Sequence, residues 1–339
     1  MAAPWPEAIL DAHHHFWDLS AGHYDWLQEA YAPERFILGP YTAICRDYLP
    51  RELRADASGL NLVGSVHVEA ERDRAQALDE TRWLHTVHAQ HGLPSAVVAW
   101  VDLLADDAEA ALTAQAAWPL VRGVRCKPAI RPQPDGPAPD HSGLDDPRWP
   151  EALRRLAAHS LLWDLRVPWW HLEEAATLLA QVPELTVVVE HTGLPWDRSP
   201  AGLAAWQRGL QALAALPRVH LKLSELGLKT APWSRAQNVA VLRHALAAFG
   251  WGRCLFGSNF PVAGLRASYG EIVQTVTEAL QDATQEATPG APDALLHQAL
   301  AAVFHDNAAR VYRTGPVAVT PPPQPQAAGE GAPCLTRAT

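Results

Sequence analysis

Lysine is nearly missing from this chain. Three of its 339 residues are lysine (Lys127, Lys222 and Lys229), against 24 arginines. Proline and alanine are plentiful, as in a GC-rich coding sequence, and a lysine kept in that background marks a place where arginine does not serve. Lys127 and Lys222 lie at the ends of strand-like runs. Cysteine is also sparse. Cys45, Cys126, Cys254 and Cys334 stand far apart with no CxxC pair, which excludes a dense disulfide framework and makes a reducing cytoplasm the expected location. No apolar run reaches the ~18 residues of a membrane span, and the opening MAAPWPEAIL lacks the basic and apolar regions of a secretory signal. Positive charge is in deficit too. The net charge of −10 argues against a general nucleic-acid binder, which must displace counterions from phosphates.

What is present is a rhythm. Eight short runs rich in Val, Leu and Ile have the length of buried strands: Ile9–Phe16, Leu62–Glu69, Ala96–Asp102, Val121–Lys127, Leu161–Val167, Leu185–His191, Val219–Ser224 and Cys254–Asn259. Helical patterns lie between most of them, over Arg72–His91 and Asp106–Trp118, around Leu172–Val182 before Pro183, and around Val239–Phe249 before Gly250. Eightfold strand–helix alternation predicts an α/β fold, a (β/α)8 TIM barrel over 1–314. An open doubly wound sheet is the structural alternative, weakened because no glycine-rich phosphate loop follows the first strand. Arg131–Asp146 is rich in Pro and Gly and predicts a long loop. Residues 315–339 carry PPPQPQ and many small residues, and are expected to be a disordered tail.

The strand ends carry the chemistry. In Asp11-Ala12-His13-His14-His15, strand alternation puts Asp11, His13 and His15 in the lumen, and Leu10, Ala12 and His14 on the helix side. Two imidazoles two residues apart can ligate one metal ion. His191 ends the sixth run, with Glu190 expected to face the helices. In the seventh run His220, Lys222 and Ser224 share the polar face. Arg125 and Lys127 share a face of the fourth run and would clamp an anion. Glu69 is expected either at the rim or as a buried partner. Trp169, Trp170 and Trp196 follow strand ends and would wall a pocket or pack loops.

Taken together, DAHHHFWD (11–18), AWVDL (99–103), VRGVR (121–125), VVEHTGLP (188–195), HLKLSEL (220–226), LFGSNFPV (255–262) and HDNAARVYR (305–313) resemble the amidohydrolase superfamily, and within it the lactonase-like amidohydrolase 2 group. The pieces run in family order over nearly the whole folded chain. The resemblance implies a barrel that hydrolyses sugar lactones or related cyclic esters, including pyrone dicarboxylates. Some relatives use a divalent metal, and zinc or manganese is the expected ion here if one is used. It implies that His13, His15 and His191 hold a metal or polarise a carbonyl, and that Arg125 touches substrate.

One position departs from the pattern. The eighth-run motif of hydrolytic members usually reads GSDWP; here it is Gly257-Ser258-Asn259-Phe260-Pro261. That Asp acts as base for the attacking water, whereas a carboxamide positions water without taking its proton. The expectation is a hydrolase of a small, anionic lactone or related ester. His13, His15, His191 and Asn259 would form its catalytic group, and Arg125, Lys127, Lys222 and Glu69 its substrate contacts. His191 is the leading replacement base. The alternatives are a decarboxylase of the same superfamily, or a non-hydrolytic barrel that binds a small acid. Neither a nucleic-acid nor a membrane partner is expected.

Overall fold

Each of the eight runs becomes a strand in the computed structural model, which describes residues 5–288 and 292–315. They are β1 (Ile9–His14), β2 (Leu62–Val68), β3 (Ala96–Ala99), β4 (Val121–Val124), β5 (Leu162–Leu165), β6 (Val187–Val189), β7 (Val219–Leu223) and β8 (Cys254–Phe256). All neighbours pair in parallel, and sheet order equals chain order. The sheet closes just beyond β8, where Asn259 N donates to His13 O at 2.7 Å and His15 N donates to Phe260 O at 2.9 Å. Parallel neighbours require crossovers, and helices from Ala77–His91 to Arg235–Phe249 supply those after β2 on the outside, with Tyr269–Ala287 following β8. This is the expected (β/α)8 barrel. The tail expected to be disordered lies, from 316 onward, outside the described residues. Among the described residues no helix is long and apolar enough to cross a membrane.

Two apolar layers follow from strand alternation. Val187, Val189, Val219, Leu221 and Leu223 face the helices, while Leu10, Val66, Val98, Leu162, Val188 and Leu255 meet in the lumen. Val311 and Tyr312 of the last helix, Asn307–Tyr312, pack into this inner layer and floor it. This inner layer is apolar, and the polar side chains of the upper lumen gather above it.

β1 breaks its alternation, and this corrects the sequence reading. Leu10 and Ala12 face the lumen. Asp11 turns toward the helices, accepting from Ser258 N at 2.8 Å and Tyr269 Oη at 3.1 Å. Asp11 pairs with Ser65 but His14 pairs with His67, so three steps on β1 match two on β2. The extra residue is a bulge. It reverses the faces after Ala12, which brings His13 and His15 inward and leaves His14 outside, 4.1 Å from the Phe16 ring centre.

The long β1–β2 connection folds over the rim through short helices at Asp25–Gln28 and Pro50–Asp56. Trp26 Nε1 pins it by donating to Ala70 O at 3.0 Å. Residues 131–146 carry no helix or strand, as their Pro/Gly content predicts.

Candidate active site

At the base of the polar upper lumen lies a fully buried ion pair. Lys222 Nζ is 2.8 Å from Asp164 Oδ1, and Tyr312 Oη donates to Asp164 Oδ2 at 2.8 Å. Burial raises Asp164 to about 6, with Lys222 pulling the other way. Lys222 Nζ also lies 3.1 Å from His13 Nδ1. The seventh-run lysine is thus luminal as expected, but it sits under the histidines and does not line the cavity above them.

The end of β6 brings in a residue assigned to the wrong face. Val188 is luminal, so Glu190 two positions on is luminal as well. Its Oε1 lies 3.8 Å from His13 Nδ1 and its Oε2 3.6 Å from His191 Nε2. His191 and Thr192 take positive φ angles of 58° and 56°. That turn lets consecutive side chains both enter the lumen. His191 Nδ1 is 3.0 Å from Ser224 Oγ, and its ring centre is 4.5 Å from that of His13. Burial, reinforced by nearby cations, holds both imidazoles well below their usual range. His15 is set differently. Its Nδ1 donates to Val68 O at 2.7 Å, leaving Nε2 as the acceptor.

Arg125 and Lys127 follow β4 on the luminal side. Arg125 donates through Nε to Glu69 Oε1 at 2.7 Å and through Nη1 to Glu190 Oε2 at 3.4 Å. Lys127 pairs with Glu71. Glu69 is 1% exposed; although burial opposes it, Arg125 and Arg74 hold it well below the usual carboxylate range. The structure therefore places Glu69 behind Arg125 as a buried partner and not as a cavity wall.

Asn259 has φ of 55°, and its Nδ2 donates to Glu225 Oε2. Asn259 Oδ1 and Glu225 Oε1 are buried without a partner. Glu225 is pushed up to about 7, chiefly by burial, against the opposing effects of Asn259 and Arg166. The preceding Gly257 is required sterically, because a Cβ there would stand 2.8 Å from His13 Cβ.

One cavity of about 350 Å³ opens at the C-terminal ends of the strands, with His13, Glu190 and Glu225 behind its lining residues. His15, His191, Asn259, Arg125, Lys127 and Arg166 line it, together with Arg35 and the carboxylate of Glu71. Trp26 and Phe36, stacked at 5.7 Å and 14°, face it with Tyr41 from the β1–β2 connection. Trp169, Trp170 and Trp196 are not in its lining. They pack on one another, with ring centres 5.6 and 5.8 Å apart. Sequence reasoning missed Asp164, Arg166 and Glu225, and it named Glu190 but put it on the helix side. The first two were signalled by alternation in Leu162-Trp163-Asp164-Leu165-Arg166; Glu225, with φ of 45°, leaves no such trace.

The donor set fits a divalent cation. His13, Glu190 and His191 each offer an atom within 4.8 Å of the others, and His13 Nε2 and Glu190 Oε1 are buried without partners. Two imidazoles and a carboxylate are a common zinc set. Of the expected trio His13, His15 and His191, the first and last belong to this donor group. Glu190 joins that pair, and the His15 ring centre stands 5.1 Å from that of His13.

A sequence model of the family described as amidohydrolase (Amidohydro_2) matches residues 10–314. An L-fucono-1,5-lactonase of Burkholderia multivorans is 32% identical over 278 residues, which is 79% of this chain and 86% of that protein. An uncharacterised protein of Sinorhizobium fredii is 33% identical over 311 residues, 90% of this chain and 98% of that protein. A solved amidohydrolase of Burkholderia multivorans with bound zinc superposes with a TM-score of 0.70 at 28% identity, covering 90% of this chain and 99% of that one.

Proposed function

Because the chain belongs to the amidohydrolase family, we propose that it hydrolyses a small lactone, preferentially one bearing or forming a carboxylate, with Glu225 as base and Asn259 as the residue that positions water. The observation carrying this reading is the Asn259–Glu225 hydrogen bond. The family's strand-eight carboxylate is replaced by a carboxamide, and a carboxylate from the end of β7 stands directly against it.

His13, Glu190 and His191 would hold a divalent cation, which when bound acts as a Lewis acid and lowers the pKa of water. The remaining work falls to side chains. Arg125, Lys127 and Arg166 attract the anionic part of the substrate, while Trp26 and Phe36 cover its apolar face. Asn259 Oδ1 accepts a hydrogen bond from the attacking water, and Glu225 takes the proton as the water oxygen bonds to the acyl carbon. The imidazole cluster and Arg125 stabilise the developing oxyanion. The ring C–O bond then breaks, its electron pair leaves on the alkoxide oxygen, and that oxygen receives the proton from Glu225. The product is a hydroxy acid.

The relative named for L-fucono-1,5-lactone makes that compound the first member of a lactone panel, read by a pH indicator because each turnover releases acid. Turnover of any panel member that is lost in Glu225→Gln supports the reading. Release of carbon dioxide from aromatic acids with no lactone turnover would replace it with the decarboxylase alternative.

A further inference from the structure

A second cavity opens at the opposite end of the barrel, below the N-terminal ends of β5 to β8. Its volume is about 660 Å³, within the range of small-molecule sites. Arg218, Arg253, Arg310 and Arg313 line it, with Glu184 as the lining carboxylate. Their identified hydrogen bonds go to uncharged oxygens: Arg218 to Thr186 Oγ1 at 3.2 Å, Arg253 to Ala214 O at 2.9 Å, Arg310 to Gly252 O at 3.0 Å and Arg313 to Ser160 O at 2.7 Å. Each anchored guanidinium keeps N–H groups beyond those bonds, because a guanidinium carries five. The charge of the cluster is therefore not neutralised by carboxylates among these contacts.

His220 supplies an independent observation. It projects from β7 into this cavity, is 7% exposed, and its Nδ1 is buried without a partner. Burial lowers it to about 4, and Arg310, Arg253 and Arg218 push it the same way. A buried ring nitrogen inside a ring of guanidiniums is an acceptor or donor awaiting a ligand atom. The hydroxyl-bearing Ser160 and Thr186 complete a polar wall.

We propose that this lower cavity binds a small phosphate-bearing anion, at a site separate from the catalytic rim. Guanidiniums approaching from β7, β8 and the last helix offer donors in several directions. A tetrahedral, doubly charged oxyanion uses such an array, whereas a planar carboxylate is satisfied by one bidentate arginine.

The test is calorimetric titration of the full chain with inorganic pyrophosphate, repeated at raised salt. The expected result is one saturable site that weakens with salt. Affinity should fall at least tenfold in the Arg218→Ala/Arg310→Ala double variant, with lactone kcat/KM unchanged. Glu184→Gln, which removes the cavity's carboxylate, should tighten binding severalfold and guards against a merely misfolded double variant. Arg166→Ala, at the upper cavity, should leave pyrophosphate affinity unchanged. No saturable binding, equal affinity in the double variant, or loss only in Arg166→Ala would each overturn the proposal. Tighter binding of citrate than of pyrophosphate would overturn the phosphate assignment.

Discussion

Asn259 and Glu225 are separated by 34 positions and joined by a side-chain hydrogen bond from Nδ2 to Oε2. Both sit at positive φ, 55° and 45°, just past the ends of adjacent strands. On the proposed reading, Glu225 supplies from one strand away the carboxylate that the family pattern puts on strand eight.

Asn259→Asp should lower activity. The new carboxylate would face Glu225 across a hydrogen-bond distance, and two such groups share one proton, so one is protonated near neutral pH. We expect kcat/KM at pH 7 to fall by ~10²-fold, the low end of what general-base assistance contributes. A gain in kcat/KM, titrating with a single carboxylate-like ionisation, would show that the wild type is an impaired hydrolase and that Glu225 is not its base.

The pH profile follows from Glu225. Its carboxyl is pushed up to about 7 by burial, opposed by Asn259, Arg166, the Gly227 amide and Arg266. A base acts in its ionised form, so kcat/KM should rise with pH through about 7 and level off above it. Glu225→Gln should lower the plateau by ~10²–10⁴-fold and abolish this limb. Survival of the limb in that variant would assign it to another group.

The same raised pKa weakens the fold. The native state holds the Glu225 proton more tightly than the unfolded chain does, so its contribution to stability is complete below the ordinary value of 4.5 and is lost as pH rises through about 7. Glu225→Gln should therefore gain stability over the wild type at pH 8, by an amount on the order of 1–3 kcal/mol, and show little difference near pH 4. Denaturant unfolding at the two pH values checks this; equal differences at both would remove the burial argument.

Arg125 and Arg166 should separate in function. Arg125 is 4% exposed and bridges Glu69 and Glu190, so Arg125→Ala strands buried charge and should cost about 3–5 kcal/mol of stability. Arg166 lines the cavity, and Arg166→Ala should raise KM for carboxylate-bearing lactones several-fold while sparing neutral ones. Equal KM changes for both substrate types would dismiss the anion clamp.

Gly257→Ala should act through His13. The added methyl would stand 2.8 Å from His13 Cβ, so the β1–β8 contact must open at a cost of about 1–3 kcal/mol. If His13 ligates a cation, elemental analysis of the purified variant should show less bound metal than the wild type. Chelation should lower activity in the wild type, and re-addition of zinc should restore it. Unchanged metal content in Gly257→Ala would place the ion away from His13.

The sequence alone determined the barrel, because eight apolar runs alternating with amphipathic ones leave parallel strands few other ways to be covered. It also determined that the histidines of β1, His191, Lys222 and Asn259 gather at one end, since the C-terminal ends of all eight strands open on one face. Strict alternation was enough for Arg125, Lys127 and Lys222. It failed at Asp11, where a one-residue bulge against β2 reversed the faces, and at the step from Glu190 to His191, where positive φ at His191 and Thr192 turned neighbouring side chains to the same side. Bulges and left-handed turns depend on which strand lies alongside and what fills the space beyond, so a period of two cannot show them. The partnership of Glu225 with Asn259, the burial of Lys222 beneath His13, and the aromatic wall from Trp26 and Phe36 were likewise decided only by tertiary structure. Each arises where the ends of different elements meet.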